Sequence, residues 1–273
     1  MPNKGVKLKI EGCFKVFQQS FNRVGYFSCI NENLNLDFLP NDWIIKDQKG
    51  FGKAVQPPRD KQKESLLHGY KHFMQCYLVR DCIESFAVSL DNLFFNLLLN
   101  GKRIESNTKI SELGNCLDEE EQKSLKQFSH AGLTGKKGKV ELLSKHFKLD
   151  LSENYKNIVT SLKDIRNCLS HNNGFVRELD GEESENEQRK FRWKTFYIFG
   201  IESTGDEVDI EINKRLEADT TIFMRLQDHE KNHKVDSQLS FTGYETYEIA
   251  FSLLLVSKQY LTEINKLLNK SIK

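Results

Sequence analysis

The residues best suited to do chemistry lie in one short run, Asp164-Ile165-Arg166-Asn167-Cys168-Leu169-Ser170-His171-Asn172-Asn173-Gly174. Leu162, Ile165 and Leu169 recur at three- and four-residue steps and mark the core side of a helix. Arg166, Asn167, Ser170 and His171 are left on the other side. Arg166 with Ser170, and Asn167 with His171, are neighbours one turn apart. An imidazole can move a proton near neutral pH. A guanidinium can hold a phosphate through two parallel hydrogen bonds and offset charge developing on it. Gathered at a helix end, these groups suit phosphodiester cleavage. Arg166, Asn167 and His171 are therefore the candidate catalytic residues, and Ser170 and Asn172 the candidate substrate contacts. The plainer reading is that the same side chains cap the helix and bond the Asn172-Asn173-Gly174 turn.

Two other patterns invite a metal. His229-Glu230-Lys231-Asn232-His233 fits H-E-x-x-H, in which two histidines on one helix face hold zinc and the glutamate activates water. A zinc helix needs an apolar face to bury it, and this stretch is polar nearly all round, so a solvated loop or helix end is expected. Glu248 and Glu263 are available as a third ligand, but nothing around them singles them out. His68 and His72 are also one turn apart, and read as exposed or capping residues. The loop Gly132-Leu133-Thr134-Gly135-Lys136-Lys137-Gly138 is basic and glycine-rich but lacks the spacing of a phosphate-cradling loop.

The elements that must position these groups are mostly helical. From Leu66 to Leu97 apolar residues recur mostly at helical spacing, closed by Asn100-Gly101, and Asp81, Glu84 and Asp91 interrupt that run. Glu84 and Asp91, two turns apart, lie on one face. Shorter helices are expected near Asp118–Phe128, Lys139–Phe147 and Ser152–Ser170, and a strong final one over Tyr247–Leu268. Phe191–Phe199 and Val208–Ile212 partly alternate and read as a short β hairpin or ribbon, after an acidic loop over Glu178–Glu187. Residues 1–60 carry little signal. Leu8-Lys9-Ile10 and Phe14–Phe17 suit short strands or a helix start, and Phe38–Asp42, Gly50–Gly52 and Pro57-Pro58 suit loops.

Composition narrows the class. Charged residues make up 29% of the chain, yet the net charge is only +1, so any nucleic-acid contact must be local. Nineteen phenylalanines supply area for a packed core. The longest apolar runs, Leu93–Leu99 and Ile249–Val256, are too short to span a bilayer, and the first residues lack a secretory h-region. No membrane partner and a cytoplasmic location are expected. The six cysteines form no C-x-x-C pair and read as free thiols.

Arg166-Asn167-x-x-x-His171, with its amphipathic helix, the long helix upstream and the closing helix downstream, resembles the signature of the HEPN superfamily. The likeness covers residues 61–175 and 240–270. It implies a mainly α fold, a HEPN-like helical bundle over residues 61–273 with a small β-containing insertion at about 176–240, after an N-terminal extension of residues 1–60. It also implies a metal-independent RNA endonuclease without cofactors, frequently a toxin or antiphage-defence effector. Arg166 would polarise the scissile phosphate, His171 would act as general acid or base, and Asn167 would orient one of them. Several such domains act only as binding or dimerising modules. Members commonly form homodimers with one composite cleft. Residues five apart on an ideal helix diverge by about 140°, so a second copy is expected to bring Arg166 and His171 together. Members paired with a nucleotidyltransferase antitoxin typically carry a tyrosine two residues after the histidine. Asn173 stands there, which argues against that pairing and leaves an antitoxin or sensor partner unidentified.

Overall fold

Helix α2 (Asp60–Leu99) organises the molecule, whose computed structural model describes residues 10–40, 44–46, 52–100, 102, 110–184, 187–202, 204–210 and 220–270. At about 1.5 Å per residue its 40 residues span roughly 60 Å. From its middle to its C-terminal end it buries Leu78, Val79, Ile83, Phe86, Leu90, Leu93 and Phe94 in the main core. Its N-terminal half leaves Leu66, Tyr70, Phe73 and Tyr77 exposed. The Gln62 side chain accepts from the Arg59 N–H and steadies the helix start.

Three helices cover the apolar half. α1 (Lys15–Asn33) runs antiparallel to α2, since its partners descend in number as it ascends: Phe17 N–H donates to Ser89 Oγ, Ser20 to Asp81, Ser28 to Gln75 and Asn31 to the Lys71 carbonyl. α5 (Glu153–His171) adds Ile158, Val159, Leu162 and Ile165 to the core. α6 (Gly243–Lys270) adds Ile249, Leu253, Val256, Tyr260 and Ile264. α3 (Glu119–Ser129) and α4 (Lys139–Phe147) close one end, where Phe94 stacks on Phe128 at 4.0 Å. α3 starts on a capping box between Asp118 and Glu121.

The expected mainly α architecture is corrected by the sheet. Among the described residues helices hold 60% and strands 17%, and the fold is mixed α/β. A hairpin of β1 (Ile44–Lys46) and β2 (Gly52–Ala54) stands apart from a four-stranded antiparallel sheet. In that sheet β4 (Gln188–Ile201) pairs along its full length with β6 (Thr221–Lys234). Its other edge pairs with β3 (Glu182–Ser184) at one end and β5 (Glu207–Asp209) at the other. The sheet is no surface insertion, because Phe191 and Trp193 point into the same core as α5 and α6.

The middle of that second β4 edge has no strand beside it, and serines satisfy its backbone. The Arg192 N–H donates to Ser161 Oγ of α5 at 2.6 Å, and the Lys194 N–H to Ser252 Oγ of α6 at 2.7 Å. Buried Glu248 accepts from Trp193 Nε1 at 3.1 Å and from the Thr195 hydroxyl. Polar side chains at helix spacing thus weld the sheet to the helices.

Other boundaries shift too. Phe14–Phe17 leads into α1 rather than a strand, so the N-terminal extension belongs to the core through Phe14, Phe17 and Val24. The loop expected around Gly52 contains β2. Leu8 and Lys9, Asn41 and Asp42, Gly50 and Phe51, Gly101 and Ile212 lie outside the described residues. One window of α2 is long and apolar enough to cross a membrane, but half of it is buried inside the fold, as in a core helix. All six cysteines are free thiols.

Replacing Ser252 with Ala leaves the Lys194 N–H without its acceptor. Urea denaturation is expected to show a loss of about 1–3 kcal/mol, with near-neutral behaviour for exposed Thr262→Ala, whose hydroxyl bonds only its own helix.

Candidate active site at the end of helix α5

α5 ends where its backbone turns left-handed. The Asn172 and Gly174 N–H groups both donate to the Cys168 carbonyl, at 3.1 and 2.9 Å, with φ of 53° at Asn173 and 84° at Gly174. Glycine suits the second of these. The chain leaving the helix is pinned to the segment after β6: Leu239 N–H donates to the Gly174 carbonyl at 2.8 Å, and Val176 N–H to that of Ser237 at 3.0 Å. Asp180 locks the turn, accepting from the Arg177 backbone N–H and from Nε and Nη2 of its guanidinium. Burial works to raise the Asp180 carboxyl, and the Arg177 contacts overcome it, holding it below its ordinary value.

On this rigid end Arg166, Asn167 and His171 come together within one chain. Arg166 Nη1 lies 3.3 Å from His171 Nε2 and 3.4 Å from Asn167 Oδ1. The expected divergence of Arg166 from His171 is corrected: the flexible arginine stem runs along the helix and spans the rise of about 7.5 Å between the two positions. Donation to Nε2 requires a neutral ring with its proton on Nδ1. From α2, Glu84 Oε1 faces Arg166 Nε at 3.4 Å and Arg80 Nε at 3.9 Å. Arg166 is 34% exposed in its side chain and His171 is exposed, so the pair is open to a large substrate.

The other expected contacts divide. Ser170 Oγ is buried without a partner near the cluster. Asn172 turns away: its amide oxygen faces Arg177 Nε at 2.7 Å and its nitrogen the His171 carbonyl at 3.2 Å, so it holds the turn. Arg80 is the residue that sequence reasoning missed. Its signal was the one-turn spacing to Glu84 on the long helix.

Two cavities flank the cluster. One, of about 520 Å³, is lined by Glu84, Asp91, Lys139, Lys163, Arg166 and Asn167. Lys139, only 5% exposed in its side chain, pairs there with Asp91 and donates to the Phe128 carbonyl at 2.8 Å. Burial raises the Asp91 carboxyl despite that lysine. The second, of about 490 Å³, lies between α2 and the turn after α5, with His72, Phe73, Cys76, Tyr77, Arg80 and Asn173 around it. Burial lowers His72, helped by His68, and pushes the Cys76 thiol up to about 11.

The glycine-rich loop does not present a phosphate cradle. The Gly138, Lys139 and Val140 N–H groups at the start of α4 donate to the Gly135, Gly132 and Leu133 carbonyls, at 2.7, 2.8 and 3.2 Å. Gly138 is required by closeness, since a Cβ there would meet the Thr134 backbone at 2.4 Å.

His229-Glu230-x-x-His233 lies on β6, neither loop nor helix. Alternation sends Glu230 to the opposite sheet face, and four residues of strand separate the two histidines by roughly 13 Å. His229 packs on Trp193 at 4.6 Å, His233 on Phe191 at 5.9 Å, and Glu230 pairs with Lys190 and Arg192. This geometry does not fit a zinc peptidase. Among the described residues no three His, Cys, Asp or Glu side chains gather as a metal site.

Comparison with known protein families, with curated proteins and with solved structures finds no match.

His233 is nearly buried, and burial, then Lys231, lowers it from its ordinary 6.5. The unfolded chain therefore takes up a proton near pH 6.5 that the fold resists, so stability falls as pH drops below that value. Thermal melts between pH 7.5 and 5.5 are expected to show this decline, and His233→Gln to flatten it. His72 and His146 are lowered too and keep the decline from vanishing.

Proposed function

We propose that this protein is a metal-independent RNA endonuclease whose active site is Arg166, Asn167 and His171. The observation that carries the reading is the 3.3 Å approach of the Arg166 guanidinium to His171 Nε2 on an open face. One group neutralises a phosphate and the other moves a proton, so the pair supplies both needs of phosphodiester transfer. The resemblance of Arg166-Asn167-x-x-x-His171 to the HEPN signature points the same way.

In this reading RNA enters with its scissile phosphate against Arg166, which swings from His171 Nε2 to the phosphate oxygens. His171 takes the proton of the ribose 2′-hydroxyl. The 2′-oxygen bonds to phosphorus, the bond to the 5′-oxygen breaks, and that oxygen leaves with a proton from solvent. The products are a 2′,3′-cyclic phosphate and a 5′-hydroxyl. Glu84 holds the resting guanidinium in place, and Asn167 orients it. Two chains paired about a two-fold axis would line one cleft with two such clusters, though one chain alone already unites the pair. A toxin or antiphage effector acting in the cytoplasm is the setting this chemistry suits.

The test is incubation of wild type, His171→Ala and Arg166→Ala with bulk cellular RNA in EDTA, with product ends checked for cyclic phosphate. Wild type is expected to cut, and each variant to lose at least about a hundredfold in kcat/KM with little change in melting, because His171 is exposed and Arg166 makes only a partly exposed ion pair. Equal cutting by His171→Ala, or cutting only when metal is restored, refutes the reading. An inert wild type that still dimerises supports a non-catalytic binding module instead.

A further inference from the structure

We infer that the exposed aromatic face of α2, Phe73 and Tyr77 with Arg80 beside them, is a stacking platform that delivers single-stranded RNA to Arg166 and His171. The inference rests on the proposed ribonuclease reading and adds the strand form of the substrate and the residues that select it.

Four observations carry it. Leu66, Tyr70, Phe73 and Tyr77 recur at one-turn steps on one face of α2, and Phe73 is 63% and Tyr77 46% exposed. Large apolar surface held in water at regular spacing marks a place where something binds. Second, this face is continuous with the site through a chain of side-chain contacts. The Arg80 guanidinium lies 5.9 Å from the Tyr77 ring, Arg80 reaches Glu84, Glu84 reaches Arg166, and Arg166 reaches His171. Third, Arg80 is 41% exposed in its side chain and loosely held, its Nε meeting Glu84 only at 3.9 Å, so its guanidinium can turn to an incoming anion. Fourth, no carboxylate lines the 490 Å³ cavity beside these rings, and Arg80 is its one permanent charge among the described residues.

An anion beside exposed rings describes a nucleotide. A phosphate satisfies Arg80 while its base lies on Tyr77, and the neighbouring base lies on Phe73 one turn away. Stacking needs bases freed from pairing, so a duplex cannot use the platform. A local platform also fits a chain whose net charge is only +1, because ring stacking works without a basic coat.

The experiment measures fluorescence anisotropy of a short fluorescein-labelled single-stranded RNA of mixed sequence, and of its blunt duplex, on His171→Ala protein. The single strand is expected to bind more tightly than the duplex. Adding Phe73→Ala with Tyr77→Ala is expected to weaken it about tenfold or more without moving the melting temperature or the salt dependence. Phe73→Tyr with Tyr77→Phe keeps the rings and is expected to keep the affinity. Arg80→Gln is expected to lower the salt slope by about 0.7. Unchanged affinity in the double alanine variant, preference for duplex, or no binding of the single strand overturns the inference. So does conversion of a dimer to a monomer by the same variant, which makes the face a contact between protein chains. Should wild type cut nothing while ring-dependent binding persists, the catalytic reading falls and the platform stands. His171-dependent cutting with KM indifferent to both rings has the opposite meaning.

Discussion

A helix of 40 residues that from its middle onward reads Leu78-Val79, Ile83, Phe86, Leu90 and Leu93-Phe94 cannot lie in water, and the fold is arranged around covering it. Each of these side chains contributes roughly 1.5–3 kcal/mol on burial, against about 0–1 kcal/mol for an exposed ion pair. Packing therefore decides where α5 sits. Once Leu162 and Ile165 are pressed into the core, Arg166 and Asn167 are left at the margin where α2 passes. Glu84 then meets Arg166 there. The electrostatics of the site follow from the hydrophobic contact beside it.

The charged contacts fall into two kinds. Around the candidate site they are partly exposed, and Glu84, shared between Arg80 and Arg166, orients side chains more than it stabilises the fold. Lys139 and Asp91 are the other kind. The lysine is buried, so its partner, the Phe128 carbonyl and the Phe128 ring at 4.7 Å must all be in place for its charge to be tolerated. That requirement ties the α3–α4 connection to α2 and fixes one wall of the larger cavity. The Arg166 guanidinium, held by partly exposed contacts, lies beside this firmly built wall.

The sheet adds rigidity from the far side. β4 is bonded to β6 on one edge and to two serines on the other, and the turn after α5 is bonded to the segment that follows β6. The end of α5, and His171 with it, is thereby braced by an element distant in sequence. Glu248, buried and satisfied by Trp193 and Thr195, closes the joint from α6. These are long-range, polar and side-chain specific, so local periodicity carries no trace of them.

The sequence by itself determined the five helices from α2 to α6 to within a few residues, because apolar repeats of three and four residues and caps such as Asp118 are local signals. It also singled out Arg166, Asn167 and His171, since residue type and spacing suffice for that. Only the tertiary structure decided the rest. α1 needed the partner surface of α2 to be a helix. β6 is exposed along most of its length and so lacks the inward apolar alternation that marks a strand, which hid the mixed α/β class and misplaced His229 and His233. The approach of Arg166 to His171 depended on a side-chain rotamer, which helical angles do not specify. Arg80 joined the site only because α2 and α5 pack side by side, a contact between residues far apart in the chain.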